Sequence, residues 1–395
     1  MKVLLMGMGL QGKAVAHDLE KSQLVKEILV LDNDLDSVNN YIEKKGFQKI
    51  TAGALNAECE NEIEKSVGRS GADLVITMLP VDFGLRVARA ALDAGIHFVS
   101  ASYTGKVARM DREAREKGVI MLPEMGMDPG IDLILGGIAV GMLDRVHGLY
   151  SYGAGLPGPS HRDDNPLKYK ISWSFEGVLK AYLRDAVVIR DGVKIDIPGD
   201  SIFKPENTHM IEVPGLGPME AYPNGNAVNF MSVFGLDETV RHMGRFALRW
   251  PGHCGFWSTM AGLGLLSDKP DGTLPVSPRD FLVNILSPKL QYADDQKDIV
   301  IIRVEAWGEK DGVWKRVTLE VFDNRDLETG LFAMNRTVGY TAAIAARMIL
   351  SGKINTPGVL SPVKDVPAKD FLKELELVGI RSRCRVEEID QEYHS

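Results

Sequence analysis

Three glycines near the start of the chain, Gly7, Gly9 and Gly12, form the pattern G-x-G-x-x-G between a short apolar run and a helical pattern. In this pattern the first glycine permits a tight turn, and the second lets the backbone approach a pyrophosphate. The third lets the helix pack closely against a sheet. The first turn of that helix, which contains Leu10 and Gln11, then presents backbone amides to the phosphates. The spacing therefore predicts a loop that binds a dinucleotide.

A carboxylate, Asp32, stands at the end of the second apolar run. A carboxylate at this position accepts hydrogen bonds from the adenosine ribose and repels a 2′-phosphate. Asn33 follows it, Asp34 and Asp36 add negative charge, and no arginine or lysine occurs before Val38. We therefore expect NAD as the cofactor, with NADP less favoured. The alternative is a structural glycine turn in a domain that binds no nucleotide.

The ends of the later apolar runs supply further candidate contacts, because ligands bind outside the carboxyl ends of the strands in a parallel sheet. Leu79 and Pro80 follow the fourth run and are expected to border the nicotinamide ribose. Ser102 and Tyr103 follow the fifth run and are expected to face the substrate, and Gly126 follows the sixth as a further cofactor contact. Ordinary turn formation and packing are the alternative roles for each of them.

The elements that must position these residues follow an alternating pattern. Short apolar runs occur at residues 3–6, 28–31, 49–52, 74–79, 98–100 and 119–122, and helical patterns occur at residues 12–21, 57–67, 83–94 and 107–117. Such alternation implies right-handed crossovers. It predicts an α/β fold whose N-terminal part is a Rossmann domain with a doubly wound parallel sheet.

The pattern changes from about residue 145. A Gly- and Pro-rich stretch covers residues 150–159, and two strand-like runs, 299–307 and 313–322, flank a hairpin signal. An alanine-rich helical pattern follows at residues 338–350. We predict three regions, listed here: an NAD-binding Rossmann domain (1–132), an α+β substrate-binding and dimerisation domain (133–336), and a C-terminal segment packing back on the Rossmann domain (337–395).

Composition narrows the class of protein. The 395 residues are 45% apolar and 25% charged, with a net charge of −8, which is the balance of a globular protein with a full core. No Lys/Arg cluster is long enough to follow a phosphate backbone, so neither nucleic acid nor an anionic membrane is an expected partner. No apolar run has the length of a membrane span, and the first run is predicted to be a strand rather than a signal peptide.

Three cysteines, Cys59, Cys254 and Cys384, lie far apart and lack the paired spacing of metal ligands. An odd number of isolated cysteines argues against a disulfide framework or a zinc site and favours a reducing compartment. We therefore expect a cytoplasmic protein with no bound metal.

Residues 124–132 read Glu-Met-Gly-Met-Asp-Pro-Gly-Ile-Asp. This stretch resembles the saccharopine dehydrogenase-like family, in particular its glutamate-forming branch, which carries D-P-G-I-D here. The resemblance continues in family order through residues 155–157, 164–174, 221–224, 245–250 and 337–339. It implies a two-electron oxidation at a C–N bond, in which an amine becomes an imine that water then splits. It also implies a homodimer formed through the second domain.

The chain departs from the family pattern at two positions. Saccharopine reductases usually have a carboxylate-binding arginine after Tyr-Pro-Asn, where this chain has Gly225, and often a cysteine where it has Gly153. Lysine 6-dehydrogenases also lack that arginine, and the stretch 248–253 resembles them, but they generally lack the aspartate kept here as Asp128. Two substrates therefore stay open: saccharopine, giving glutamate and aminoadipate semialdehyde or the reverse, and L-lysine. Two further alternatives are a catalytically silent NAD-binding sensor and a polyamine-forming reductase.

Oxidation of an amine requires a general base whose pKa lies near the working pH. Asp128 is the first candidate, because it lies just past a strand end. Its alternative role is to cap the helix that starts near residue 130. Tyr103 and Lys170 are the further catalytic candidates. His161 and His253 are considered but not assigned a role, since each lies in a predicted loop or turn.

The resemblance also places the segment from Lys170 to Ser174 in the substrate cleft, whereas the residue pattern alone favours a solvated strand face. If this segment is a strand, Lys170, Ser172 and Ser174 share one face while Trp173 points to the other. Arg245 and Arg249 are the candidate partners of substrate carboxylates, because a guanidinium binds a carboxylate through two parallel hydrogen bonds. Surface solvation is the alternative for both arginines.

Overall fold

The computed structural model describes residues 1–236, 238–270 and 275–390. The chain forms two compact units, and the chain of unit 2 is inserted into that of unit 1. Unit 1 contains Met1–Ile134 and Asn335–Arg381, and unit 2 contains Leu135–Met334 and the residues from Ser382 onward.

The first part of the chain alternates strands and helices throughout. Its elements are β1 (Lys2–Met6), α1 (Leu10–Lys21), β2 (Glu27–Asp32), α2 (Leu35–Lys45), β3 (Ile50–Ala54), α3 (Glu62–Arg69), β4 (Leu74–Thr77), α4 (Val81–Ala94), β5 (His97–Ser100), α5 (Asp111–Lys117), β6 (Ile120–Leu122) and α6 (Ile131–Gly141). The strands lie in the order β6-β5-β4-β1-β2-β3 and every pair is parallel. The central strands are continuous apolar runs because both of their faces are buried. The predicted doubly wound parallel sheet is confirmed.

Unit 2 is built on a second, mixed sheet. Its elements are β7 (Arg145–Pro157), α7 (Phe175–Ala181), β8 (Ala186–Arg190), β9 (Val193–Ile197), β10 (His209–Val213), β11 (Gly217–Pro223), α8 (Met231–Phe234), β12 (His242–Arg249), α9 (His253–Gly262), α10 (Pro278–Leu286), β13 (Asp298–Lys310) and β14 (Val313–Asn324). The strand order is β10-β11-β12-β7-β13-β14, with the β8–β9 hairpin attached to β12. β13 and β14 form the long hairpin that the sequence predicts around residues 309–312.

The last part of the chain contributes to both sheets. Its elements are α11 (Ala333–Leu350), β15 (Gly358–Val359), α12 (Pro362–Asp365), α13 (Ala368–Leu377) and β16 (Arg381–Glu388). β15 adds a parallel seventh strand beside β6, and β16 lies beside β14 at the edge of the second sheet. Within unit 1, α11 packs tightly on α1, because a Cβ on Gly339 would lie 2.5 Å from the Gln11 carbonyl oxygen and 2.6 Å from the Ala14 Cβ.

The second sheet curls so that strands far apart in its order meet. The Arg303 guanidinium on β13 donates to the Glu212 carbonyl on β10 (3.1 Å), although three strands separate them. The Tyr152 hydroxyl likewise lies 3.2 Å from Nε2 of His209. An apolar cluster, which includes Phe246, fills the concave side. The other side of β12, which includes Ala247, packs in a second apolar cluster with residues of α7 and α9.

Two segments differ from the sequence-based expectation, and in both the start of the following helix is the reason. The segment from Lys170 to Ser174 is not a strand, so the condition under which Lys170, Ser172 and Ser174 would share a strand face is not met. Instead the Ser174 hydroxyl accepts a hydrogen bond from the Gly177 N–H and caps α7. The fourth strand ends at Thr77 rather than at residue 79, because Pro80 already stands at the start of α4.

Among the described residues, no helix combines the length and the apolar character that a membrane crossing requires.

Candidate active site

The glycine loop has the geometry that its spacing predicts. Gly7 has φ +90°, and a Cβ there would lie 3.0 Å from the Met78 backbone. A Cβ on Gly12 would lie 2.2 Å from the Gly7 carbonyl oxygen, whereas a Cβ on Gly9 would meet no atom within 4 Å. Gly7 and Gly12 are thus required by the fold, while Gly9 leaves its surroundings open. Leu10 and Gln11 form the first turn of α1, whose N–H groups have no partners within the helix. This cradle fits a pyrophosphate.

Asp32 ends β2, and backbone donors fix its carboxylate. Oδ2 accepts from the Met8 N–H in the glycine loop (2.6 Å), and Oδ1 accepts from the Asp34 N–H (3.0 Å). Asp34 in turn caps α2 by accepting from the Ser37 N–H (3.0 Å). Asn33 and Asp34 are exposed. A negative charge is therefore held at a defined place beside the glycine loop, as ribose binding requires.

The other predicted contacts of unit 1 lie at the same edge of its sheet. The Leu79 N–H lies 3.4 Å from the Thr77 hydroxyl oxygen, and Pro80 precedes the first residue of α4. Ser102 and Tyr103 follow β5, where Ser102 is half-buried and Tyr103 is exposed. Gly126 follows β6, and its N–H donates to the Pro129 carbonyl (2.9 Å). The edge that these residues share is where parallel sheets bind ligands.

The loop at residues 124–132 carries two buried carboxyl groups that the sequence reasoning did not single out. Glu124 has a left-handed backbone (φ 63°), donates its N–H to the Ser102 carbonyl (2.9 Å) and accepts from the Thr104 N–H (3.1 Å). Asp132 accepts from the Gly130 N–H (2.8 Å). Burial raises the pKa of Asp132 to about 7, backbone hydrogen bonds oppose that rise, and the charge of Glu124 adds to it. The position of Glu124 just beyond the carboxyl end of β6 was the available signal.

Asp128, the predicted base, is half-buried in this loop. The carboxylate that accepts from the Gly130 N–H at the start of α6 is that of Asp132. The structure thus brings Asp128 together with Gly126 on one loop of unit 1.

In unit 2, Lys170 is buried and held by two side chains, one from a nearby loop and one from a distant segment. Its Nζ donates to Oε1 of Gln296 (2.6 Å) and lies 2.8 Å from Oδ2 of Asp164. Gln296 closes the ring by donating to the same Asp164 oxygen (2.9 Å). The hydrogen bond from Lys170 lowers the pKa of Asp164. Lys170 is therefore placed as a hydrogen-bond donor, and Nδ1 of His161 lies 3.4 Å from the same carboxylate.

Ser172 and Trp173 lie in the turn that follows Lys170. Ser172 is fully buried, and its hydroxyl oxygen lies 3.8 Å from where a Cβ on Gly155 would stand. Trp173 is half-buried, and a Cβ on Gly177 would lie 2.9 Å from its ring. Ser172 thus packs near Gly155 at the end of β7, and Trp173 packs against the first turn of α7.

Arg245 and Arg249 lie four residues apart on β12 and therefore project from the same face of the strand. Both are buried, which excludes surface solvation. The Arg245 guanidinium lies 4.6 Å from the ring centroid of Phe230. Arg249 lies among the rings of Tyr169, Tyr182 and Tyr222, which were not predicted as site residues.

His253 begins α9 beside these tyrosines and is buried, whereas the sequence suggested a turn histidine. Gly225, where the family arginine is missing, has φ +77°, and a Cβ there would lie 3.8 Å from Cδ of Arg184. No local pattern identifies Arg184, because only the register of β8 brings it beside the loop after β11.

Within residues 1–236, 238–270 and 275–390, no group of three or more His, Cys, Asp or Glu side chains has the arrangement of a metal site. The three cysteines are free thiols.

Comparison with known proteins gives matches along the whole chain. Residues 3–122 match the family model described as saccharopine dehydrogenase NADP binding domain, and residues 126–380 match that of the saccharopine dehydrogenase C-terminal domain. The predicted resemblance is thereby confirmed, and the chain belongs to the saccharopine dehydrogenase family, with a pyridine nucleotide-binding domain in its first part.

Individual relatives differ in how much of their length is matched. A saccharopine dehydrogenase (NADP(+), L-glutamate-forming) of Schizosaccharomyces pombe is 28% identical, over 99% of this chain and 99% of the relative. The mitochondrial alpha-aminoadipic semialdehyde synthase of Rattus norvegicus is 25% identical over 96% of this chain, which spans 47% of that relative's length. The solved structure of apo saccharopine dehydrogenase (L-Glu forming) from Saccharomyces cerevisiae shares the fold, with a TM-score of 0.85, 23% identity and coverage of 98% and 99% of the two chains.

Proposed function

Because the chain belongs to the saccharopine dehydrogenase family, we propose that it is an NAD-dependent oxidoreductase acting on the C–N bond of saccharopine. The products are glutamate and aminoadipate semialdehyde, and the same site catalyses the reverse reaction. The observation that carries the proposal is the pairing of the glycine cradle with the fixed Asp32 carboxylate, in a chain whose second unit buries the cations Lys170, Arg245 and Arg249. An amino acid with several carboxylates is the substrate class that such cations bind.

The proposed residues divide the reaction into binding and proton transfer. NAD, when bound, accepts the hydride from the carbon that carries nitrogen. The residues proposed to bind and orient the substrate are Arg245, Arg249, Lys170, Ser172 and Trp173, together with Ser102 and Tyr103. Lys170 already donates to Asp164 and Gln296, so Asp128 and Tyr103 are the better candidates for the group that takes the proton from the amine.

The choice of NAD is a proposal against the names of several relatives, which specify NADP(+). Its support is electrostatic. The Asp32 carboxylate is oriented by two backbone amides, and the exposed residues that follow it, Asn33 and Asp34, carry no positive charge. A 2′-phosphate at this position would meet a fixed negative charge without a cation to balance it.

Oxidative deamination of L-lysine is the second candidate. The observation that favours it is Gly225, because the carboxylate clamp of saccharopine reductases is missing there. The loss of one charge-assisted hydrogen-bonded pair is worth on the order of 1.5–3 kcal/mol, which is enough to change the preferred substrate.

The test is NADH formation by the purified chain at alkaline pH, with saccharopine and L-lysine supplied separately and NADP run in parallel. Turnover on saccharopine supports the proposal, and turnover on lysine alone moves the chain to the deaminating reaction. NADH binding without turnover on saccharopine, lysine or any other amine supports the silent sensor. Oxidation of an amine that lacks the amino-acid carboxylates supports a polyamine substrate instead. Asp128→Asn and Tyr103→Phe then distinguish the base, since only its removal abolishes the alkaline dependence of kcat/KM.

We also propose a homodimer in a reducing, cytoplasmic compartment. Free thiols at Cys59 and Cys384, both exposed, agree with a reducing environment. Light scattering after gel filtration measures the mass directly, and a monomer at micromolar concentration would contradict the dimer.

A further inference from the structure

The loop that carries Tyr103 joins the end of β5 to a short 3-10 helix at Gly105–Met110. Tyr103 is 41% exposed, so much of its ring is not packed against other side chains. A side chain that contacts a reacting group must nevertheless stay within about 0.5 Å of its working position. The backbone of Tyr103 is thus where a restraint on its direction can act.

Glu124 binds the two peptide groups that adjoin Tyr103. Its N–H donates to the Ser102 carbonyl oxygen (2.9 Å), which belongs to the peptide group before Tyr103. Its Oε1 accepts from the Thr104 N–H (3.1 Å), which belongs to the peptide group after Tyr103. Because each peptide group is planar, its orientation sets one of the two backbone dihedral angles at Tyr103. Glu124 therefore restrains both φ and ψ of Tyr103, and with them the direction of its Cα–Cβ bond.

Glu124 is itself held where it can make both contacts. It lies just beyond β6, is 6% exposed and has a left-handed backbone with φ 63°. Few residues other than glycine adopt this conformation, and the surrounding structure has to enforce it. In this conformation the N–H and the side chain of Glu124 reach the same loop. A glutamate that only filled space would not require such a backbone.

The neighbours of Glu124 hold the start of the same loop. The Met125 N–H donates to the Ser100 carbonyl (2.8 Å), and a Cβ on Gly126 would lie 3.0 Å from Cβ of Ala101. These contacts do not involve the side chain at position 124. The carboxylate of Glu124 is therefore a contact that a substitution can remove while the rest of the pairing remains.

We propose that Glu124 is a positioning residue for Tyr103 and acts on the reaction through it. We call the two hydrogen bonds from Glu124 to the loop the Glu124 clamp. The inference rests on the proposed function, in which the Tyr103 hydroxyl contacts the substrate or takes the proton of its amine. The clamp holds that hydroxyl in the geometry that proton transfer requires. Its loss lowers kcat and leaves the affinity for the cofactor unchanged.

Three variants separate the reach of the Glu124 side chain from its charge. Glu124→Gln keeps the length and an oxygen that accepts from the Thr104 N–H, whereas Glu124→Asp keeps the charge but is one methylene group shorter. Glu124→Ala lacks both. Glu124→Ala and Glu124→Asp lower kcat with saccharopine about tenfold or more, and Glu124→Gln lowers it about twofold or less. All three bind NADH as the wild type does.

A double-mutant cycle tests whether the effect passes through Tyr103. Tyr103→Phe removes the hydroxyl that the Glu124 clamp positions. In that background Glu124→Ala changes kcat by less than about twofold, because no hydroxyl is left to misplace. A purely structural role of Glu124 would give the same fold-change in both backgrounds.

Hydrogen exchange followed by mass spectrometry measures the Glu124 clamp without turnover. The Thr104 amide exchanges faster in Glu124→Ala and Glu124→Asp than in the wild type, and Glu124→Gln retains the wild-type rate. Glu20→Ala is the matched control, because Glu20 accepts from the Gln48 N–H (2.8 Å) just before β3 begins, at the opposite edge of the sheet. It lowers Tm and leaves kcat and the exchange of Thr104 unchanged.

The proposal is overturned if Glu124→Ala and Glu124→Asp keep the wild-type kcat, if Glu124→Gln is as impaired as they are, or if the full loss persists in the Tyr103→Phe background. If Glu124→Ala does not fold, as absent NADH binding would show, the comparison of Glu124→Asp with Glu124→Gln decides. Failure of the proposed function looks different, because the wild type then forms no NADH from saccharopine. In that case the exchange of the Thr104 amide alone confirms or overturns the clamp.

Discussion

The charged groups Asp32 in unit 1 and Arg249 in unit 2 are held in their places by different parts of the chain. In unit 1 the carboxylate of Asp32 is held by two backbone N–H groups from neighbouring segments. In unit 2 the guanidinium of Arg249 donates one hydrogen bond to a backbone carbonyl, and aromatic side chains from other segments enclose it. Backbone hydrogen-bonding groups stay the same when most residues are substituted, whereas a site lined by side chains can change its ligand through a single substitution. The nucleotide half is thus set by the fold, and the substrate half is set by residue choice.

The difference between the two units predicts that the largest loss of ligand affinity follows a substitution in the glycine loop. Gly12→Ala places a Cβ 2.2 Å from the Gly7 carbonyl oxygen, so the loop must move and nucleotide binding falls about 100-fold or more, ~2.7 kcal/mol. NADH fluorescence titration measures the loss. Gly84→Ala in α4 is the control, because its Cβ meets nothing within 4 Å and alanine favours the helix. Equal affinity in both variants would refute a loop dictated by backbone geometry.

A smaller effect is expected from exchanging the charge next to the loop. Asp32→Ala combined with Asn33→Arg removes the fixed carboxylate and supplies a cation for a 2′-phosphate. The ratio of kcat/KM for NAD to that for NADP should fall about 10- to 100-fold, 1.4–2.8 kcal/mol. The single variant Asp32→Asn serves as a control that retains the shape. An unchanged ratio in the double variant would contradict the placement of the ribose at Asp32.

The third prediction concerns stability against pH in unit 1. Asp132 holds its proton in the folded state up to about pH 7 and releases it at a much lower pH when unfolded. Stability is therefore highest in acid and falls as the pH rises from about 4 to 7. Asp132→Asn keeps an oxygen for the Gly130 N–H and removes the titration, so it gains on the order of 2 kcal/mol relative to the wild type at pH 8. Urea unfolding at several pH values measures it. Parallel curves would show that Asp132 is not the titrating group.

The smallest change in unfolding free energy is expected in unit 2, where two side chains bind Lys170 and one remains if the other is removed. Gln296→Ala removes one acceptor from Lys170 but leaves Asp164, so unfolding free energy falls by only about 1 kcal/mol. Lys170→Met, which leaves Asp164 without its cation, should cost more. If Gln296→Ala lowers the unfolding free energy more than Lys170→Met does, the hydrogen bonds of the Gln296 amide contribute more than the Lys170–Asp164 ion pair.

The difference between the units also determines which contacts can be predicted from the sequence. The turn at Gly7, the close approach at Gly12 and the carboxylate of Asp32 each follow from residues a few positions apart, so spacing alone predicted the fold of unit 1 and the shape of its nucleotide loop. One of the two partners of Lys170, Gln296, lies 126 residues away in sequence, and the rings around Arg249 come from three separate segments. Local periodicity does not report such contacts. The alternation from Lys170 to Ser174 is compatible with a strand, but the segment ends instead at Ser174, which caps α7.

The insertion of unit 2 into unit 1 has a consequence for synthesis on the ribosome. The helix that carries the glycine loop has its apolar neighbour in α11, packed at Gly339, and the edge strand β15 comes later still. Translation of residues 135–334 takes about 10–40 s at typical elongation rates. Throughout that delay the nascent first unit exposes the side of α1 that α11 will cover, so the protein's earliest residues are among the last to reach their final packing.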